Sequence, residues 1–296
     1  MADQTAIQRE KIVDSAIQEI SHIATLPEIT LRIVELVEDP TSTAQDLHAV
    51  ISNDPALCSR VLKVVNSAFY GLPGQVGSIN RAIVLLGLNA VKNIAIAASL
   101  AKLFRGGEVN AHFSARKLWT HSAATATAAK MIADKIRLGM PDEAFLAGLM
   151  HDIGVMVEMQ YDRHKLISVL EQLEIDPAGV PTNDMIEIER QIFSADHQEF
   201  GAGLCRKWKF PRSLALVTGF HHNPFDLPPE ERTLALIVYV ADRVAAKCED
   251  GGYRLDISDE TIAPEALAEL DLTESDIAEI LEALPAQLSD VQRLLG

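Results

Sequence analysis

Residues 27–65, PEITLRIVELVEDPTSTAQDLHAVISNDPALCSRVLKVV, decide the fold class. Pro27 suits a first helical turn, and Ile29, Ile33, Leu36 and Val37 recur at helical spacing until Asp39-Pro40 interrupts them. Thr43 with Asp46 has the form of a capping box ahead of Leu47, Val50 and Ile51. Asp54-Pro55 then pairs a cap with a proline at the first helical position, and Leu57, Val61, Val64 and Val65 follow. Helices succeed one another here with little strand signal between them.

The same grammar extends downstream. Ser78 caps a predicted helix carrying Ile79, Ile83 and Leu86, and Gly87 interrupts before a longer segment that runs to Phe104. Gly106-Gly107 marks a junction. Further helical segments are predicted over 113–136, from Asp142-Glu143 onward, and over 184–208, 211–222 and 229–248. From Asp256 onward two short acidic helical patterns follow, the second opened by a Thr273/Asp276 capping box. The expected fold is all-α, in two packed parts hinged near Arg105 to Asn110. Residues 1–20 read as an extension, 21–107 as an N-terminal helical subdomain, 108–250 as a second helical subdomain and 251–296 as an acidic helical tail.

Composition narrows the class. The 296 residues are 48% hydrophobic, enough for a sizeable core, and only 5% aromatic, which leans helical. Lys and Arg number 26 against 42 for Asp and Glu, a formal charge of −16. Such a surface repels phosphate backbones, so no direct nucleic-acid binding is expected. Cys58, Cys205 and Cys248 lie far apart and form no CxxC pair, which argues against a disulfide framework or zinc ribbon and fits a reducing cytoplasm. The start, MADQTAIQREK, lacks the pattern of a secretory signal. The most apolar stretch, 88–104, is broken by Lys92, Asn93 and Lys102, so no membrane span is expected. A cytoplasmic protein is the expectation.

The histidines carry the chemical signal. His121 lines up with Leu118, Ala124, Ala128 and Ile132 by steps of three and four, which points it toward the buried side. His151-Asp152 follows the apolar Phe145, Leu146 and Leu149, and successive helical residues differ by about 100°, so both reach one point only where a helix ends or meets another. Gly154 supplies room for such an approach. A carboxylate buried beside a histidine needs a partner, either a hydrogen-bonded structural pair or a metal ion. His221-His222 closes the run Leu214, Leu216, Val217 and Phe220. Asp242 interrupts IVYVADRVAA, and His197 follows Asp196 ahead of Gly201, Gly203, Leu204 and Trp208. Each singly has a bland reading as a cap, a satisfied core residue or a solvated face. Five histidines and two aspartates together match the ligand set of iron, manganese or zinc, in which one carboxylate can bridge two ions.

The order His121, His151-Asp152 within LMHDIG, His197, His221-His222 and Asp242 resembles the HD superfamily of metal-dependent phosphohydrolases, and more closely its HD-GYP branch. Upstream, 26–71 and SINRAIVLLGLNAVKNIAIA at 78–97 resemble the HDOD family. The likeness covers about residues 20 to 245. It implies an N-terminal helical bundle packed on a modified HD domain, which makes 108–250 the HD-like part. It also implies one divalent ion on His121, His151, Asp152 and Asp242, with Asp152 bridging to a second on His197, His221 and His222. Iron or manganese comes first, with zinc, nickel or magnesium as alternatives.

The chain departs from that pattern in its substrate apparatus. Val155 stands where HD-GYP relatives carry a lysine, Asn223-Pro224-Phe225-Asp226 replaces the E…GYP stretch, and Lys117 stands where some relatives place an extra carboxylate. That lysine disfavours a third metal and could meet a phosphate instead. The resemblance therefore implies a signal-transduction or regulatory protein with little or no turnover, acting through a partner protein or a nucleotide messenger. The alternative is a metal-dependent phosphodiesterase acting on a cyclic dinucleotide or another phosphate ester, with Asp152 and His151 catalytic. A metal-based redox or oxygen sensor is a third reading. GAGLCR at 201–206 is half a dinucleotide fingerprint without a preceding strand. His22, His48, His112 and His164 have no clustered partners and read as surface or capping residues, and Phe69 and Tyr70 as packing between the two halves.

Overall fold

Side-chain caps set the helix starts of this computed structural model, which describes residues 2–20, 26–67, 69–101, 103–104, 107–176, 179–249, 251 and 254–295. Thr43 accepts from the Asp46 amide at 3.2 Å while Asp46 returns the bond to the Thr43 amide at 2.9 Å. Asp54 and Ser78 accept from the amides of Leu57 and Arg81 at 2.9 and 3.2 Å. The Thr273/Asp276 box is formed in the same way. Each bond satisfies a first-turn N–H that has no partner inside its own helix.

The helices are α1 (Ala2–Glu19), α2 (Glu28–Glu38), α3 (Ala44–Ser52), α4 (Pro55–Val65), α5 (Ile79–Leu86) and α6 (Leu88–Leu100). Then come α7 (Ala115–Lys135), α8 (Pro141–Met150), α9 (Ile153–Tyr161), α10 (Arg163–Gln172), α11 (Met185–Phe193) and α12 (His197–Lys207). A 3-10 turn over Pro224–Asp226 separates α13 (Arg212–Phe220) from α14 (Thr233–Lys247), and α15 (Pro264–Glu269) and α16 (Glu274–Leu295) close the chain. Among the described residues there is no strand, only isolated bridges at Glu108/Ser114 and Ile175/Pro181. No described helix is long and apolar enough to cross a membrane. Arg105 and Gly106 of the expected hinge, and His22, lie outside the described residues.

Two centres organise the packing. Helices α2, α3, α4 and α5 surround α6, which also rests on α8. Helix α7 packs against α8, α14 and α16, and α12 against α1, α9 and α13. Small residues let α7 and α8 meet backbone to backbone: Ala123, Ala124, Ala126 and Ala128 are fully buried, and a Cβ at Gly148 would stand 2.8 Å from Ala126 Cα. Phe69 and Tyr70 join the two groups, the Phe69 ring packing at a tilt against Phe145 at 5.5 Å and the Tyr70 hydroxyl donating to Asp142 at 2.8 Å.

Three features differ from the sequence reading. The single segment expected over 184–208 is two helices, because Ser194 takes a left-handed conformation (φ 66°) and Asp196 then caps α12 afresh. Most of the stretch read as an extension is a packed helix, Ala2–Glu19, whose Val13 and Ile17 lie over Gly203, where a Cβ would stand 2.8 Å from Ile17 Cδ1. The second tail pattern is not a short helix. It runs 22 residues and buries Ile277, Ile280, Leu284, Leu288 and Val291. Burying such a side chain stabilises by about 1.5–3 kcal/mol, so five outweigh the roughly 3 kcal/mol that Pro285 costs inside the helix.

Candidate metal centre

All seven histidines and aspartates singled out above converge on one buried place. His121 projects from the middle of α7 and Asp242 from α14, and they meet at 2.8 Å. Helix α8 ends at Met150 and α9 begins at Ile153, so His151 and Asp152 occupy the break, where consecutive side chains can share a target. His197 is the first residue of α12, and His221 and His222 follow the end of α13. Six of the seven are fully buried; only the His222 side chain retains 7% exposure.

Asp152 sits between two sets of donors. Its Oδ2 faces His151 Nε2 at 3.2 Å and His121 Nε2 at 3.9 Å, and Asp242 Oδ1 lies 3.5 Å from His151 Nε2. Its Oδ1 faces His221 Nε2 at 3.3 Å and His197 Nε2 at 3.9 Å. His222 Nε2 lies 3.0 Å from His197 Nε2. One carboxylate thus presents one oxygen to each set, the arrangement a bridging ligand requires.

The far nitrogens are held in place. His151 Nδ1 donates to the Gly148 carbonyl at 2.7 Å, His221 Nδ1 to the Thr218 carbonyl at 3.2 Å, and His197 Nδ1 to Glu189 Oε2 at 2.8 Å. This fixes each ring and leaves Nε2 as the inward lone pair, as metal-bound histidines require. Among the described residues, seven buried atoms of this cluster have no hydrogen-bond partner: His151 Nε2, His221 Nε2, both oxygens of Asp152, Asp242 Oδ2 and both oxygens of Asp256. An unsatisfied buried polar atom costs about 1–3 kcal/mol, so seven converging ones call for a cation or protons between them. The donor set of imidazole and carboxylate fits iron, manganese or zinc.

The titrations of the cluster are shifted unevenly. Burial opposes a second proton on His151, but the Asp152 and Asp242 charges outweigh it and raise its pKa well above the usual imidazole range. Burial likewise opposes charge on His197, yet Glu189 lifts it to about 10. Burial pushes His221 and His222 down. Despite their burial, the facing histidines hold Asp152 and Asp242 well below the ordinary carboxylate range.

Sequence reasoning missed three acids. Asp256, in the expected acidic tail, places Oδ2 3.4 Å from His222 Nε2, and burial with nearby Asp152 and Asp242 pushes its pKa up to about 8. Glu189 of α11 also accepts from the His197 amide at 3.1 Å. Glu158 of α9 is fully buried, and burial beside Glu189 raises its pKa well above the usual range. Lys117, by contrast, donates from Nζ to the Ala111 carbonyl at 2.9 Å and lines a cavity of about 390 Å³ with Lys247 and Arg254. His48 bonds to Ser52, and His112 and His164 are exposed; none joins the cluster.

A chain built of helices, with no strand among the described residues, around a buried His/Asp centre with metal-type donors defines the class. Residues 23–224 match the HDOD domain model, and the chain belongs to the HDOD family. Asp242 and Asp256 lie beyond the matched stretch. An uncharacterised Treponema pallidum (strain Nichols) protein is 27% identical over 240 residues, 79% of this chain, and the chain spans only 44% of that relative. Two solved structures share the fold. One is described as a candidate signal transduction protein of Marinobacter aquaeolei VT8 (TM-score 0.74, 22% identity, 97% of this chain and 64% of that one). The other is described as a candidate phosphohydrolase of Shewanella amazonensis SB2B (TM-score 0.71, 24% identity, 95% and 98%).

Proposed function

We propose that this HDOD protein is a cytoplasmic signal-transduction or regulatory module whose HD-like half, within 108–250, holds two divalent ions, iron or manganese foremost, with little or no turnover. The observation that carries the reading is Asp152, with Oδ2 toward His121 and His151, which Asp242 also meets, and Oδ1 toward His197 and His221. His222 adds a further imidazole on the second side. Burial of the donors argues for a structural or sensing centre, since a phosphodiester has to reach the ions to be cleaved. Val155, fully buried in α9, supplies no cation where the catalytic relatives carry lysine. The names of the Marinobacter and Shewanella neighbours agree with a signalling role and a phosphohydrolase ancestry. The output is a partner protein or a nucleotide messenger.

A phosphodiesterase is the second reading, favoured by one observation: Lys117 and Lys247 line one cavity in a chain of net charge −16, together with Glu249 and with Arg254, which is paired to Glu260. Bound ions would supply Lewis acidity and a nucleophile from water at neutral pH. The chain's part would be to orient both ions through Asp152, hold His151 through Gly148, and offset phosphate charge with Lys117 and Lys247. The deciding experiment is metal content by mass spectrometry on untagged, chelator-free protein, followed by assays on cyclic dinucleotides and a generic phosphodiester. Near two equivalents without turnover is the expected result. Metal-dependent turnover abolished in Asp152→Ala would move the assignment to the second reading. Near-zero metal with no uptake on reconstitution would overturn both.

A further inference from the structure

Asp256 stands outside the resemblance that assigns the other seven donors, yet it faces the same centre. One donor atom each from Asp152, His197, His221, His222 and Asp256 lies within 4.8 Å of all the others. Donors about 2.0–2.2 Å from one ion stand at most about 4.4 Å apart, so a contraction of a few tenths of an ångström seats all five. The Asp256 side chain is fully buried, and among the described residues neither carboxylate oxygen has a hydrogen-bond donor. A carboxylate left so in a core is costly unless something charged meets it.

The segment around Asp256 is built to hold it there. Leu255 and Ile257 on either side are 4% and 2% exposed, and the Ile257 amide donates to the Arg254 carbonyl at 3.2 Å. Arg254 pairs with Glu260, tying the two sides of the turn together. At its start, Gly251 lies so close to the end of α14 that a Cβ would stand 2.9 Å from the Cys248 carbonyl oxygen. The chain therefore commits apolar burial and an ion pair to delivering an acid into a centre that is already rich in acids.

We propose that Asp256 is a protein-supplied ligand to the second ion and that it fills, from the C-terminal segment, the coordination position an incoming phosphate would need. The inference rests on the two-ion reading above and gives a reason for a complete ligand set to go with the little or no turnover proposed there. Catalytic metal sites keep one position open for water or substrate, whereas structural ones are closed by protein. Asp256 closes this one.

The test uses the full chain loaded with cobalt, comparing wild type with Asp256→Ala and the near-isosteric Asp256→Asn. Cobalt stoichiometry and affinity are measured, and the visible spectrum is recorded during titration with inorganic phosphate. Wild type is expected to bind two ions and show no spectral change with phosphate. Both variants are expected to bind one of the two ions at least tenfold more weakly, and to show a saturable phosphate-dependent shift once loaded. Near-ultraviolet circular dichroism separates this from misfolding, and Asp256→Asn keeps the packing should Asp256→Ala fail to fold. Variants matching wild type in both affinities and in phosphate response would overturn the proposal while leaving the two-ion reading intact. Wild type that itself takes phosphate at the ions would do the same. Wild type that binds no cobalt would overturn the two-ion reading, and the proposal with it.

Discussion

Replacing Gly154 with alanine tests the geometry of the centre without touching a donor. Gly154 lies in the first turn of α9, against the first turn of α12. A Cβ there would overlap the His197 carbonyl oxygen, stand 2.7 Å from its carbonyl carbon and 2.8 Å from the Gly201 amide nitrogen. Ordinary carbon contacts are about 3.5–4.0 Å, so relieving the overlap with the carbonyl oxygen would part the helices by about 1.5 Å. All the obstructing atoms are backbone, and no side chain can rotate away. Overpacking costs about 1–3 kcal/mol, and this site belongs at the upper end, about 3 kcal/mol. At about 2 °C per kcal/mol for a chain of this size, the melting temperature should fall by about 6 °C. The displacement also carries His197 away from Asp152, already 3.9 Å distant, so affinity for one ion should drop as well. Gly77→Ala is the control, because nothing lies within 4 Å of its added methyl; its effect should stay within about 0.5 kcal/mol. Thermal unfolding by calorimetry or circular dichroism reads both. A Gly154→Ala protein melting within about 1 °C of wild type would refute the close approach of α9 and α12 and the placement of His197 derived from it.

Other perturbations bear on separate links. Glu189→Gln weakens the carboxylate that orients His197, and should lower metal affinity about 10–100-fold in a chelator competition, with the secondary structure unchanged. Asp276 is held below the ordinary carboxylate value of 3.8 by hydrogen bonds from Lys135 and Thr273. A depressed folded-state pKa stabilises above the unfolded value, so Asp276→Asn should melt lower at pH 7. That gap should begin to shrink below about pH 3.8 and close as pH falls through the folded-state value, as acid titrations of both proteins would reveal. Burial pushes the Cys205 thiol up to about 12, so under native conditions a thiol reagent should label half-buried Cys58 well before Cys205, as peptide mass mapping would show.

Much of the site was legible because its residues break a pattern. Asp242 is an acid inside an apolar run, and His151-Asp152 closes one, so burial of charge could be read from neighbours alone. Glu158 carries the same signal within IGVMVEMQ and was readable by the same rule. Val13, Ala16, Ile17 and Ile20 likewise have the spacing of a buried helical stripe, which marks α1 as more than an extension. Asp256 was not legible. It lies in RLDISDE, among acids that read as solvated, outside any helix whose register could aim it, and only the fold of the turn behind α14 brings it inward. The break at Ser194 was equally hidden, since a serine in the left-handed region leaves no compositional mark.

The donors are drawn from chain positions 121 to 256, and no short stretch contributes more than the adjacent pairs 151–152 and 221–222. An unfolded chain therefore offers an ion almost nothing, while the finished fold offers everything at once. On the two-ion reading this makes metal supply a determinant of lifetime. A ligand that binds only the native form adds about 4.1 kcal/mol at a thousandfold excess over its dissociation constant, enough to lower the unfolded fraction a thousandfold. A cell short of the ion would keep less of this protein, quite apart from any signal the protein sends.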